Sequence, residues 1–226
     1  MVRRRVERER QSQAGDPQRP GPAMLVAAYC RGIFPMADSE TGRLEWFSPE
    51  ERGVILLDDF HVSHSLERVV RSGRFEITTD LCFERVMQLC SAPRAKQRET
   101  WIDERLIAGY CELAESGAAH SVEAWRDDEL VGGLYGVHLG AAFFGESMFS
   151  RPELGGRDAS KVCLVRLVDI LRERGFELLD TQFVNEHLAR FGCREIPRRE
   201  YLRLLASALA READWPEAGP LGEREA

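Results

Sequence analysis

No apolar run in the sequence approaches the roughly 20 residues that cross a bilayer, and the charged N-terminus has no apolar stretch behind it. That pattern excludes a membrane-spanning segment and reads as a cytoplasmic chain. No two of the six cysteines form a CxxC pair, and several sit in apolar runs, so neither a zinc ribbon nor a disulfide framework is expected. Lysine is almost missing: Lys96 and Lys161 stand against 31 cationic residues, a bias that genome base composition explains as well as function does. Positive charge is also in the minority, and the net charge of −7 argues against non-specific coating by nucleic acid while leaving room for a local basic patch. What remains is a globular composition in 226 residues, enough for one large domain or for one domain with a smaller companion.

Composition divides the chain into four parts. Residues 1–22, rich in Arg, Gln, Gly and Pro, read as a disordered tail, and residues 212–226 as a second, acidic one. Between them, residues 23–60 are expected to form a small N-terminal domain, with a short helix stopped at Gly32 and a strand at GVILL. Residues 61–211 form the larger domain. HVSHSLERVVRSG reads as an amphipathic helix ending at Gly73, FEITTD as a strand, and DERLIAGYCELAESG as a helix ending at Gly117. From His120 three strand-like runs joined by RDDE and HLGA predict an antiparallel meander. A helix follows, with Asp158 as its N-cap, Leu164, Leu167, Val168 and Leu171 on its apolar face, and Arg172 and Arg174 before Gly175. FELLDTQF then reads as an eight-residue strand, followed by helical stretches around NEHLARFG and REYLRLLASALA. This order predicts an α+β fold whose larger domain resembles the GCN5-related N-acetyltransferases, with a mixed, mainly antiparallel sheet.

Strand alternation puts Phe144, Glu146 and Met148 on one face of FFGESMFS, and Phe176, Leu178, Asp180 and Gln182 on one face of FELLDTQF. A carboxylate among phenylalanines needs a partner or a task. If both faces meet one cleft, Glu146, Asp180 and Gln182 form a pocket of apolar walls and convergent polar groups; otherwise the acids pair with arginines or reach solvent. Weaker constellations fall away. His61 and His64 lack a third metal ligand, and Ser147 lacks the second glycine of a nucleophile elbow. Gly155 and Gly156 stand where an acetyltransferase cradles a pyrophosphate, but the [QR]xxGx[GA] pattern is not met. No cofactor and no metal are expected.

AYCRGIFPM, TWI, GGLYGV, FFGESMFS, ASK, DTQF and EIPRREYL occur in the order found in the leucyl/phenylalanyl-tRNA–protein transferases, which the sequence resembles from about Met24 to Leu209. The resemblance implies an enzyme that transfers Leu, Phe or sometimes Met from aminoacyl-tRNA to proteins with N-terminal Arg or Lys, marking them for N-degron proteolysis. Such a protein binds no membrane and is expected to act as a monomer. Carried over residue by residue, the resemblance makes Asp180 the acid that assists deprotonation through Gln182, while Glu146 holds the acceptor amine or its basic side chain. Leu134, Met148, Leu164, Leu167, Leu171 and Leu179 match the donor side-chain pocket. Tyr29 and Trp101 match aromatic positions that flank the terminal adenosine of the tRNA, and Arg68 and Arg71, with Arg74 beside them, match a basic cluster for the acceptor-stem phosphates. A coenzyme A-dependent N-acyltransferase and a non-catalytic tRNA-binding module are the alternatives.

Overall fold

A computed structural model of the chain describes residues 19–93 and 100–222. Residues 1–18 of the expected N-terminal tail and 223–226 of the acidic tail lie outside the described residues, so the structure does not bear on them.

Ten strands and seven α-helices alternate among the described residues. Helix α1 (Pro22–Tyr29) opens on a proline, whose fixed φ suits a first helical turn, and the chain turns at Gly32 with φ 71°. Strands β1 (Phe34–Ala37) and β2 (Leu44–Phe47) form a separate two-stranded ribbon. β3 (Glu51–Ile55) precedes α2 (His64–Arg71), β4 (Glu76–Thr79), α3 (Phe83–Ser91) and α4 (Glu104–Glu115). The meander is β5 (Ala119–Arg126), β6 (Glu129–Leu139) and β7 (Ala142–Ser150). Then follow α5 (Ala159–Glu173), β8 (Leu178–Gln182), α6 (Glu186–Ala189), β9 (Arg194–Pro197), α7 (Arg198–Leu209) and β10 (Gly219–Pro220).

Eight of the strands make one sheet in the order β10-β4-β5-β6-β7-β8-β3-β9. All neighbours in it are antiparallel except β7 and β8. The α+β class and the mixed, mainly antiparallel sheet expected from the order of elements are therefore observed. β3 lies inside this sheet, between β8 and β9, although its residues fall within the 23–60 segment. The sheet divides the interior into two cores. Tyr29, Met87, Leu106, Tyr110, Phe144 and Leu178 pack in one; Leu134, Phe143, Val165, Leu167 and Leu179 pack in the other, beneath α5. No helix among the described residues is long and apolar enough to cross a membrane.

Three expectations give way. The chain from Glu212 does not trail off: Trp215 stacks on His120, with ring centroids 4.4 Å apart, and on Phe143, and β10 adds itself to the edge of β4. One indole outweighs the polar composition around it. Asp158 stands at the N-cap of α5, but at φ 70° its carboxylate turns to Lys161 Nζ, 2.6 Å away, and caps no backbone N–H. The eight-residue strand contracts to five: Phe176 and Glu177 fall outside its start, and at its end Gln182 adopts φ 62° and stops the ladder before Phe183.

Candidate active site

β7 and β8 run parallel for only three residue pairs, Ala142–Leu178, Phe143–Leu179 and Phe144–Asp180, and then part. Two irregularities sit where they separate. The register of β6 against β7 slips between Tyr135–Ser147 and Gly136–Gly145, so Glu146 is the extra residue of a β-bulge. On β8, the left-handed backbone of Gln182 re-aims its side chain. Both break the side-chain alternation on which the expected faces rest. Phe144 packs in the first core and Met148 against the second, so Phe144, Glu146 and Met148 do not share one face.

The two re-aimed side chains meet across the gap. Gln182 Nε2 donates to Glu146 Oε1 at 2.6 Å, and the Tyr29 hydroxyl donates to the same oxygen at 2.6 Å. Tyr110 reaches Glu146 Oε2 at 3.5 Å and is itself hydrogen-bonded to Tyr29. Burial is the main cause that raises the Glu146 carboxyl, with the neighbouring Asp180 charge adding to it; the phenol hydrogen bonds and Arg52 pull it down, and it settles at about 8. Burial first, and then Glu146, lifts both phenols well above their ordinary range, so they act as neutral donors.

Asp180 is adjacent but committed elsewhere. Arg52 Nε donates to its Oδ1 at 2.9 Å and Arg52 Nη2 to its Oδ2 at 2.7 Å. The Tyr201 hydroxyl donates to Oδ2 at 2.7 Å, and the Gln182 backbone N–H to Oδ1 at 2.8 Å. The guanidinium lies between the rings of Phe34 and Tyr201 and donates to the Gly32 carbonyl. Burial works against the Arg52 charge, but Asp180 more than offsets it and raises the guanidinium above its usual value. Asp180 and Arg52 are both essentially inaccessible to solvent. Of the expected trio, then, Glu146 and Gln182 touch through their side chains, whereas Asp180 joins them only through the Gln182 main chain.

A cavity of about 800 Å³ opens over this junction, with Glu146, Gln182 and Ser147 in its lining. Leu134, Met148, Leu164, Leu167 and Leu179 form apolar wall, and Trp101, Met36, Phe34 and Phe183 add aromatic and thioether surface. Leu171 does not line it, being one helical turn deeper in the core under α5. Nor does Tyr29 offer a stacking face: it is fully buried, tilted against Phe144, and its hydroxyl holds Glu146. Arg68 and Arg71 line a separate surface hollow on α2 with His64, Glu67 and Ser72, where Glu67 pairs with Arg71 at 3.0 Å; Arg74 is exposed. Among the described residues no group of His, Cys, Asp and Glu could hold a metal ion. The glycine pair after β7 makes no phosphate cradle, since the Gly155 N–H donates to the Pro152 carbonyl and the Gly156 N–H to the Arg151 carbonyl, each at 3.0 Å.

Sequence reasoning passed over Arg52, Tyr110 and Tyr201. A readable signal existed for Arg52, a lone arginine before GVILL in a strand facing the core, but its partner lies 128 positions away.

The chain matches the profile of the family described as leucyl/phenylalanyl-tRNA protein transferase over residues 54–206, and that of the family's N-terminal domain over residues 21–50. It is 56% identical over 191 residues to a leucyl/phenylalanyl-tRNA–protein transferase of Paramagnetospirillum magneticum, covering 84% of this chain and 90% of that one. A protein of the same description from Rhodopseudomonas palustris is 52% identical over 195 residues, 86% and 83% of the two chains. Among solved structures, the chain is loosely similar to a ribosomal-protein-alanine N-acetyltransferase of Brucella melitensis, at 21% identity and a TM-score of 0.35, over 63% of this chain and 96% of the other.

Proposed function

Given that the chain belongs to the leucyl/phenylalanyl-tRNA protein transferase family and is an aminoacyltransferase, we propose that Glu146 and Gln182 carry out the transfer at the floor of the cavity between β7 and β8. The donor is leucyl- or phenylalanyl-tRNA, and the acceptor is the α-amino group of a protein whose first residue is Arg or Lys, which the added residue marks for N-degron proteolysis. The enzyme acts as a monomer in the cytoplasm, where charged tRNAs are found.

An aminoacyl ester is already activated, so aminolysis requires alignment, a free amine and a route for one proton. The hydrogen bond between Glu146 and Gln182 carries this reading. With Nε2 committed to Glu146, the Gln182 carbonyl oxygen is left to accept an N–H of the incoming amine, while the Glu146 carboxyl takes its proton. A carboxyl at about 8 is matched to an α-ammonium of pKa about 7.7–8.0, so the exchange between them is close to thermoneutral. The nitrogen then bonds to the ester carbonyl carbon, the bond to the ribose oxygen breaks, that oxygen receives the proton from Glu146, and the surplus proton on the new amide nitrogen passes to the freed Glu146 carboxylate and on to water. Asp180 does not serve as a base in this scheme: held by Arg52 and Tyr201, it is a positioning residue that fixes the Gln182 main chain. Leu134, Met148, Leu164, Leu167 and Leu179 enclose the donor side chain, and unbranched Met148 adapts to Leu, Phe or Met. Trp101, with Met36 beside it, takes the terminal adenosine, and Arg68, Arg71 and Arg74 take stem phosphates.

Labelled leucyl-tRNA and a peptide beginning with Arg test the proposal. Label should pass to the peptide from this donor and not from acetyl-coenzyme A. Transfer from acetyl-coenzyme A alone would overturn it, and tRNA retention without transfer from either donor would leave a binding module.

A further inference from the structure

Two carboxylates line the catalytic cavity, Glu146 at its floor and Glu186 on α6. They differ in what they already hold. Glu146 accepts from Tyr29, Tyr110 and Gln182, so taking the α-amino group fills its remaining capacity and leaves none for a second cation. Glu186 is exposed, and no hydrogen bond or ion pair engages it among the described residues. Arg190, which lines the same cavity, lies four positions along, the spacing at which a glutamate and an arginine join on a helix surface, yet the two do not pair. His187 lies between them in the lining; burial and the nearby Lys161 and Arg190 lower its pKa, so it is neutral at pH 7 and does not consume the Glu186 charge.

We infer that Glu186 reads the first side chain of the acceptor, receiving the guanidinium or ammonium of an N-terminal Arg or Lys while its α-amino group sits on Glu146 and Gln182. This rests on the transfer reading above and adds to it the residue that sets acceptor class. The arrangement suits a long cation: the Glu146 carboxyl is buried and Glu186 in the same lining is exposed, so an α-amino group held at the first can carry its charge on a flexible stem to the second. It also explains an uncompensated carboxylate beside an arginine that does not neutralise it, because Arg190 is left for an anion of the tRNA end. A free carboxylate at a cavity mouth selects by charge, and an acidic first residue meets repulsion there.

The test compares one peptide sequence with Arg at its first position and the same peptide with citrulline, a neutral isostere, using leucyl-tRNA as donor. For the unaltered enzyme the ratio of kcat/KM for Arg over citrulline should exceed one. In Glu186→Gln that ratio should fall by about twofold to fivefold, the range for an exposed charge pair, with the change in KM, and in Glu186→Lys it should fall further. Filter retention of aminoacyl-tRNA should be the same for all three proteins. An unchanged ratio in Glu186→Gln would overturn the inference, as would equal losses on both peptides. A loss of tRNA retention would assign Glu186 to the donor side instead and overturn it too. If the unaltered enzyme transfers to neither peptide, the transfer reading itself fails, which is a different result from an unaltered ratio.

Discussion

On the proposed route, Glu146 makes both activity and stability depend on pH. Aminolysis by the proposed route needs one proton shared between the carboxyl at about 8 and an amine of similar pKa. At low pH both groups are protonated and no nucleophile exists; at high pH neither can protonate the leaving ribose oxygen. kcat/KM for the acceptor peptide should therefore follow a bell with both limbs near pH 8, whereas Glu146→Gln should show a lower rate with a single rising limb that tracks the free amine. A bell that survives intact in Glu146→Gln would place the titrating acid elsewhere. For stability the direction is opposite to that of an ordinary ion-paired carboxylate. The folded state raises the pKa of Glu146 above its usual 4.5, so it holds the proton more tightly than the unfolded chain does. That contribution is whole below about 4.5 and is lost as pH rises to about 8. Urea midpoints should fall between pH 5 and pH 9 more in the unaltered protein than in Glu146→Gln. Asp180 behaves otherwise. Asp180→Asn strands Arg52 as a buried cation without its anion, at a cost of about 3–5 kcal/mol. The double replacement Arg52→Met with Asp180→Leu should be more stable than Asp180→Asn alone, while still transferring poorly because the Gln182 main chain has lost its anchor. Equal stabilities would mean that the pair is not the buried unit described here.

Elements were legible where one local rule governed them. The meander, the apolar face of α5 and the glycine ends at Gly73, Gly117 and Gly175 needed only spacing and turn residues. α3 went unread because Phe83–Ser91 follows a strand without a side-chain cap to announce it. Alternation brings Glu146 and Gln182 together on paper, but their side chains meet through the bulge on β7 and the positive φ of Gln182, both of which violate it. Arg52 was invisible for a different reason, since a buried ion pair between distant strands leaves no local trace. α2 carries the prediction that belongs to this scale. Its exposed Arg68 and Arg71 lie one turn apart or less on one helix, away from the cavity, so Arg68→Ala should weaken binding of different tRNAs alike and reduce the slope of log K against log salt by about one. A loss confined to one tRNA would show base reading instead.

At the scale of the whole molecule, the segment after α7 closes the sheet at its β4 edge. Trp215 is half-buried against His120, Phe143 and Phe176, and His120 in turn is fixed by Asp80 at 2.7 Å. Trp215→Ala should cost about 2 kcal/mol, below the range for a fully buried tryptophan, and lower Tm by about 4–8 °C in a chain of this size. Calorimetry showing no shift would mean that the segment rests on the surface without holding it. The opposite side of the sheet has a consequence in time. Gly53 pairs with Gln182, so β3 leaves the ribosome long before the strand it needs, and this pairing is among the slow, long-range steps of folding. Gln182 is also the residue that completes the junction with Glu146. A nascent chain therefore cannot acquire the proposed reaction centre until translation has passed β8, and on that reading synthesis of the enzyme itself delays the first moment at which it can modify any other protein.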